Sequence, residues 1–200
     1  MNIEICLATN NKGKLREYRE ILAPMGFLIY CPSDLGITSD PEETAETYRE
    51  NAYIKALALA KKVPFPVIAD DSGLEIAALG NFPGLHSSRF AESCGGYREA
   101  YKEINRRLEG KDDRSAAFRC CICYLENPSA KPLYFEGICP GYILPAPRGD
   151  HGFGYDPIFH CEEGDIDFGI ADEETKNAYS HRNKAIAKLK IFLAINGSQG

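Results

Sequence analysis

The sequence predicts an α/β fold in which a mixed β-sheet is flanked by helices. Three observations support this class. Segments with strand and helix periodicity alternate in the first part of the chain, a run of short strand-like segments follows, and the last segment is helical. Alternation of this kind places strands side by side with helices packed on the sheet, and the later strands extend it. No repeat, low-complexity tract or linker interrupts the 200 residues, so we predict a single domain spanning 1–200.

The first third of the chain alternates clearly between strands and helices. The segment Ile3–Ala8 is apolar and short, as buried strands are, and Leu15–Ala23 has the spacing of an amphipathic helix that Pro24 and Gly26 end. The next pair is a strand at Phe27–Cys31 and a longer helix at Thr44–Lys62.

The remainder contains mostly strands. The boundaries rest on apolar runs separated by Pro, Gly and Asp turns, with helical spacing in two segments. The predicted elements are strands at Val67–Ala69, Leu74–Leu79, Ala116–Leu125, Leu133–Ile138 and Gly141–Leu144, and helices at Arg98–Leu108 and His181–Leu193.

Composition narrows the function classes. The net charge is −6 and the pI is near 5.3. This does not suit stable nucleic-acid binding, because a nucleic-acid-binding protein needs a basic surface to neutralise the phosphates. The acidic start of the chain does not resemble a signal peptide, and no apolar run reaches membrane-spanning length. We therefore expect a cytoplasmic protein with no membrane partner and a small-molecule ligand.

The eight cysteines do not form a convincing metal or disulfide pattern. Only the run from Cys120 to Cys123 contains a CxxC spacing, and it lies in a predicted strand, where these two side chains point to opposite faces. Buried free thiols that act as small apolar groups are the better interpretation.

A polar segment between the first strand and the first helix could bind phosphate. It reads Thr9-Asn10-Asn11-Lys12-Gly13-Lys14, and the backbone N–H groups at a helix N-terminus attract anions. The spacing is not that of a P-loop, and a solvated turn with two lysines explains it about as well.

Two acidic pairs could hold a metal ion. Asp70 and Asp71 follow a buried strand and precede Ser72 and Gly73, whereas Glu42 and Glu43 precede the long helix. Magnesium favours few carboxylates together with phosphate oxygens. An Asx-type turn explains the first pair without a metal, and helix capping explains the second.

Two later segments could bind a nucleoside. In Gly152–Pro157, glycines allow close approach of the backbone, Phe153 and Tyr155 offer flat faces, and Asp156 offers a hydrogen-bond acceptor, although an aromatic turn is the alternative. Ser180-His181-Arg182 opens the last helix, where cations oppose the helix dipole, so a bound anionic or oxo-bearing ligand would explain them better than stability does. Generic surface charge is the alternative for this segment.

Together these segments resemble the inosine triphosphate pyrophosphatase family, from Ile3 to about Ile195. The matching segments also include Glu50-Asn51-Ala52, Lys55-Ala56, Pro83-Gly84, Ser87 with Arg89, and Gly152–Phe159, all in the family's order. The resemblance implies an elongated mixed sheet with a central substrate cleft, a homodimer, and hydrolysis of ITP, dITP and XTP to the monophosphate and pyrophosphate.

The resemblance also implies residue roles. Asp71 would be the general base and a ligand of Mg²⁺, and Glu42 the second metal-binding acid, with possible help from Glu43 or Asp70. The substrate-binding residues would be Thr9, Asn10, Asn11, Lys12, Gly13, Lys14, Ser72, Phe153, Gly154, Tyr155, Asp156, Lys176, His181 and Arg182.

The chain departs from the family pattern at Asp167–Ile170, Ser88 and Ala45, and none of these changes removes a proposed catalytic group. Two other classes remain open. A nucleotide-binding regulator would not need Glu42 and Asp71 together, so the presence of both acids argues against it. An interaction module would need a basic stripe or a large apolar surface.

Overall fold

The computed structural model describes residues 3–197. Within that range the main elements, in chain order, are β1 (Ile3–Leu7), α1 (Lys12–Leu22), β2 (Phe27–Tyr30), α2 (Tyr48–Ala60), β3 (Val67–Ile76), β4 (Phe82–Pro83), α3 (Ser87–Ser93), α4 (Tyr97–Arg107), β5 (Ser115–Leu125), β6 (Leu133–Ile143), β7 (Phe159–Cys161), β8 (Ile166–Asp167), α5 (Glu173–Tyr179) and α6 (His181–Gly197).

The strands form one mixed sheet, which confirms the predicted fold class. Its hydrogen-bonded order is β2-β1-β3-β5-β6-β7-β8, and β4 pairs with β3. Strand β1 runs parallel to β2 and β3, whereas β6, β7 and β8 are antiparallel neighbours. Parallel pairs need crossover connections, which α1 and α2 provide.

The chain divides into two compact units. Unit 1 comprises residues 1–71, 120–136 and 183–200, and unit 2 comprises residues 72–119 and 137–182. The boundaries fall within β3, β5, β6 and α6. The sequence therefore gives no loop or linker signal at these positions.

Unit 1 has an apolar cluster on each face of its strands. Ile68 and Cys120 belong to a cluster with residues of α1 and α6, whereas Val67, Ala69 and Cys123 belong to a cluster with residues of α2. This alternation follows from the two-residue repeat of a strand. Even-numbered residues of β3 in this unit therefore face α1, and odd-numbered residues face α2.

Unit 2 has one apolar cluster. It joins residues of β3, α3, α4 and β6 with an aromatic group that includes Phe118, Phe159 and Phe168. The rings of Phe118 and Phe159 lie 4.5 Å apart. Aromatic side chains bury large apolar areas, so this group forms much of the core of the unit.

The strand boundaries correct two predictions. Asp70–Gly73 lies within β3 and not in a turn, so the predicted strands at Val67–Ala69 and Leu74–Leu79 are one strand. Likewise β6 runs from Leu133 to Ile143 through Pro140, where two strands were predicted. In both cases pairing with neighbouring strands overrides the local turn chemistry of Asp, Ser, Gly and Pro.

The helix boundaries also differ. Helix α2 begins at Tyr48, because Thr47 caps it by accepting a hydrogen bond from the Glu50 backbone N–H at 3.2 Å. The predicted start at Thr44 is therefore wrong. The short elements β4, β7, β8, α3 and α5 were not predicted. No helix within residues 3–197 is long and apolar enough to cross a membrane.

The described residues include all eight cysteines, and none of them forms a disulfide bond. Seven are buried, and Cys94 is half-buried. Burial raises the pKa values of Cys6, Cys121 and Cys123 to about 12. This agrees with their interpretation as small apolar groups.

Candidate active site

The predicted phosphate segment bends from β1 into α1. Thr9 Oγ1 accepts a hydrogen bond from the backbone N–H of Asn11 at 3.1 Å, and Asn11 Oδ1 accepts one from the N–H of Lys14 at 3.1 Å. Asn11 is the N-cap, so Lys12 and Gly13 lie in the first turn of α1. Backbone N–H groups in a first turn have no partner within the helix and can bind an anion.

Lys14 forms an ion pair with a buried aspartate. Its Nζ lies 3.0 Å from Asp70 Oδ2, and the Asp70 side chain is only 1% exposed. The Cys120 Sγ lies 3.8 Å from the same carboxylate oxygen. Asp70 therefore holds the Lys14 ammonium group at the start of α1.

Asp71 and Glu43 contact a common lysine. Lys55 Nζ lies 3.1 Å from Glu43 Oε1 and 3.6 Å from Asp71 Oδ1. Asp71 is 5% exposed, and Lys55 comes from the buried side of α2, between Ala52 and Ala56. Two carboxylates thus converge on one ammonium group.

The pKa of Asp71 is raised above its ordinary value. Burial is the main cause, and the negative charge of Glu43 adds to it, whereas Lys55, Lys14 and the Asn51 amide lower the pKa. Burial acts in the opposite sense on Lys55, but the charges of Asp71, Asp70 and Glu43 outweigh it, so the pKa of Lys55 is raised. A base with a raised pKa is better matched to proton abstraction near neutral pH.

Strand geometry explains why the two neighbouring aspartates have different partners. Consecutive residues of β3 point to opposite faces, so Asp70 reaches Lys14 of α1 and Asp71 reaches Lys55 of α2. The sequence placed both acids at a strand end, where they could have shared one ion. The structure separates them, and Glu43 is the acid that joins Asp71.

The structure also distinguishes Glu42 from Glu43. Glu42 is exposed, whereas Glu43 is partly buried against Lys55. Neither residue lies in the first turn of α2, which begins at Tyr48, so helix capping does not explain them. The geometry therefore favours Glu43 over Glu42, the residue predicted from the sequence, as the acid that acts with Asp71.

In unit 2, the predicted nucleoside-binding loop is tightly held. Asp156 Oδ2 accepts hydrogen bonds from the Phe153 backbone N–H and from Lys176 Nζ, both at 2.8 Å. A Cβ atom on Gly152 would lie 2.1 Å from that oxygen, and Gly152 has φ +73°, so only glycine fits. Asp156 therefore organises the loop, where the sequence had suggested a contact with a base or sugar.

The two aromatic residues of the loop have different environments. Tyr155 is buried, and its hydroxyl donates to the Ser87 carbonyl at 2.7 Å. Phe153 is only partly buried, and its ring centroid lies 4.6 Å from Lys176 Nζ and 5.5 Å from the Arg182 guanidinium carbon. Phe153 is thus the loop residue whose ring is better placed to contact a ligand.

The start of α6 adds further donors in the same unit. Arg182 donates to Ser72 Oγ at 3.1 Å. The His181 ring stacks on Phe118, with centroids 4.8 Å apart and an angle of 12° between the planes. Both side chains are at most 5% exposed, so their orientation is fixed by packing.

Three residues in these clusters received no role from the sequence: Lys55, Asn51 and Phe118. Lys55 had a detectable signal, since a lysine among Ala52, Ala56 and Leu59 interrupts the apolar stripe of a helix. Phe118 had none, because a phenylalanine in a buried strand is ordinary. Among residues 3–197, no group of three or more His, Cys, Asp or Glu side chains could hold a metal ion by itself.

Comparison with known proteins places the chain in a family. The model of the Ham1 family matches residues 5–192. The dITP/XTP pyrophosphatases of Bacillus licheniformis and Bacillus subtilis are each 41% identical over 192 residues, which cover 95% of this chain and 97% and 96% of theirs.

Solved structures of Ham1 proteins are also similar to this chain. A HAM1 protein from Coxiella burnetii is 40% identical with a TM-score of 0.85, over 96% of this chain and 98% of that one. The Staphylococcus aureus Ham1 protein is 36% identical with a TM-score of 0.85, over 96% and 99%. The chain belongs to the Ham1 family.

Proposed function

We propose that this protein hydrolyses non-canonical purine nucleoside triphosphates, such as ITP, dITP and XTP, to the monophosphate and pyrophosphate. Its reaction would remove these nucleotides before a polymerase uses them. The arrangement of Asp71 and Glu43 around Lys55 is the observation that carries the proposal. The pyrophosphatase names of relatives about 41% identical over nearly the whole chain support it.

The charges in unit 1 support a requirement for Mg²⁺. Three carboxylates, of Glu43, Asp70 and Asp71, face two ammonium groups, of Lys14 and Lys55, which leaves a net charge of −1. A triphosphate is strongly anionic, so this cluster would repel it without a further cation. Magnesium is suited to a site with one or two carboxylates because phosphate oxygens and water complete its coordination.

We assign Glu43 and Asp71 as the residues that would hold the ion. When bound, Mg²⁺ would neutralise phosphate charge and lower the pKa of a water molecule. The donor set fits, because both acids already approach one cation in the protein. Glu42 is exposed and is not needed in this assignment.

The protein's own residues would act as follows. Asp71 would accept a proton from the water that attacks phosphorus. Lys14 and the backbone N–H groups at the start of α1 would stabilise charge on the departing pyrophosphate. Asp70 would keep Lys14 oriented, and Lys55 would hold the two acids in place.

The residues of unit 2 would select the base. His181 and Arg182 supply hydrogen-bond donors, and Phe153 supplies an aromatic face. A 6-oxo purine presents an acceptor to such donors, whereas adenine presents an amino group that leaves them unpaired. Unpaired polar groups in a binding site can discriminate strongly.

The remaining parts of the proposal concern the state of the protein. We propose a homodimer that works in the cytoplasm. The family resemblance supports the dimer. Sedimentation equilibrium at micromolar concentration tests the dimer directly.

The decisive experiment measures pyrophosphate release from ITP, dITP, XTP, ATP and GTP, with Mg²⁺ and with a chelator. We expect fast, metal-dependent release from the first three and little from ATP or GTP. If every nucleotide is bound but none is hydrolysed, the protein is a nucleotide-binding regulator. Equal release from ATP and ITP would contradict the role of His181 and Arg182 in base selection.

A further inference from the structure

The loop that carries Phe153 is held by a tyrosine from α4. The hydroxyl of Tyr101 donates a hydrogen bond to the carbonyl of Gly154, the residue that follows Phe153. Tyr101 lies in the middle of α4 (Tyr97–Arg107) and is 7% exposed. A rigid helix thus contacts the backbone of the loop directly.

The side chain of Tyr101 is packed against two other tyrosine rings. Its ring lies 6.2 Å from the Tyr155 ring and 6.5 Å from the Tyr97 ring. Burial, together with the nearby charge of Asp156, raises the pKa of Tyr101 to about 12, so the hydroxyl remains protonated and able to donate near neutral pH. A buried tyrosine hydroxyl needs a hydrogen-bond acceptor, and here that acceptor is the Gly154 carbonyl.

The loop needs such support because its own backbone is unusual. Gly152 and Gly154 both have positive φ, at +73° and +64°. Glycine is the most flexible residue, so a loop with two glycines has a large entropy to lose on ordering. Asp156 holds the Phe153 amide, and Tyr101 holds the Gly154 carbonyl, so the peptide unit before Phe153 and the one after Gly154 are both held.

We propose that Tyr101 is a positioning residue for nucleoside recognition, which pre-orders the 152–155 loop so that Phe153 faces the base. This inference rests on the proposed function, because it assumes that the loop binds the nucleoside. Tyr101 contacts the loop that is assigned to the nucleoside, and no residue assigned to the phosphates. Its loss should therefore weaken substrate binding and leave the chemical step intact.

The test compares Tyr101→Phe with the wild-type protein, using dITP and Mg²⁺. The substitution removes only the hydroxyl. We expect KM to rise about tenfold, which corresponds to about 1.4 kcal/mol, with kcat within about twofold. Hydrogen exchange of the amides of residues 153–155 in the ligand-free protein should become faster. Tyr124→Phe is the matched control, since this half-buried tyrosine packs against Phe192 in unit 1.

A third variant, Phe153→Ala, tests the nucleoside-binding role of the loop separately from the positioning role of Tyr101. If Phe153→Ala raises KM but Tyr101→Phe changes neither KM nor the exchange rates, the role of Tyr101 is refuted and the loop's function stands. If Phe153→Ala leaves KM unchanged, the loop does not bind the nucleoside, and both the assignment of the loop and the inference about Tyr101 are overturned. A fall in kcat at constant KM in Tyr101→Phe would also overturn the inference.

Discussion

Glu43 and Asp71 come from distant parts of the sequence and approach the same ammonium group, that of Lys55, at 3.1 and 3.6 Å. The two acids would repel each other without a cation between them, and the charge of Glu43 contributes to the raised pKa of Asp71. Lys55 therefore keeps the two acids together when no metal ion is bound.

Asp71→Asn should reduce turnover by at least about 100-fold, because it removes the proposed general base. Nucleotide binding should be largely retained. Pyrophosphate release and equilibrium binding of dITP measure the two effects. Asp112→Asn, at an exposed position, is the control and should keep full activity. Near-normal turnover in Asp71→Asn would show that another group is the base.

The same substitution should stabilise the protein when no metal ion is present. The pKa of Asp71 is higher in the folded state than in the unfolded state, so the folded state binds more protons and loses stability as the pH rises from about 4 through the raised pKa. Asparagine cannot ionise and avoids this loss. In a chelator at pH 7 we expect a higher Tm for Asp71→Asn than for the wild type, and a smaller difference at pH 3.5. A lower Tm at pH 7 would contradict the direction of the pKa shift.

Glu43→Gln and Glu42→Gln form a matched pair of neighbouring substitutions. Glu43→Gln should raise the Mg²⁺ concentration needed for half-maximal activity by about tenfold or more. A tenfold change corresponds to a loss of about 1.4 kcal/mol in the free energy of Mg²⁺ binding. Glu42→Gln should not change this concentration, because Glu42 is exposed. The reverse result would restore Glu42 as the metal ligand.

Lys176→Met should be strongly destabilising. Lys176 and Asp156 form an ion pair in which each side chain is 4% exposed, so the substitution leaves a buried carboxylate without its cation. Such losses cost about 3 kcal/mol or more. The double variant Lys176→Met, Asp156→Asn should recover part of the loss, since asparagine carries no charge. Urea unfolding curves give the comparison, and equal midpoints for the single and double variants would argue against a charge effect.

Thiol chemistry provides a test of the cysteines. In the native protein, a bulky disulfide reagent should react quickly with no more than one thiol, that of the half-buried Cys94, and with all eight in denaturant. Cys94→Ser should abolish the fast phase. Rapid reaction of several thiols would contradict the burial of Cys6, Cys121 and Cys123, whose pKa values are raised to about 12.

The sequence predicts the longer helices and the first strand better than it predicts the short strands and the exact strand boundaries. A short apolar run identifies β1, and helical spacing of apolar residues identifies α1 and α2, because burial of one helix face imposes that spacing. The short β7 and β8 carry too few residues for a period to emerge, and their strand character depends on pairing with β6 and each other. The continuity of β3 through Asp70 and Ser72 has the same origin, since residues in sequence alone favour a turn there.

The candidate site, too, can be predicted only in part from the sequence. Most of its segments can be recognised from residue types and order. The choice between Glu42 and Glu43 cannot, because it depends on which of two adjacent acids turns towards Lys55 in an irregular segment before α2. The support that Tyr101 gives to the Gly154 carbonyl is also invisible in sequence, where the two residues lie far apart.

The extended backbone of β3 has a consequence for how this site can change during evolution. Three consecutive residues of this strand contact three different partners: Asp70 contacts Lys14, Asp71 contacts Lys55 and Ser72 contacts Arg182. Which partner each side chain contacts depends on the alternation of side chains along a strand. Inserting or deleting one residue there would send each side chain to the wrong face. Active sites built on loops tolerate changes in length, but this stretch can diversify only by substitution.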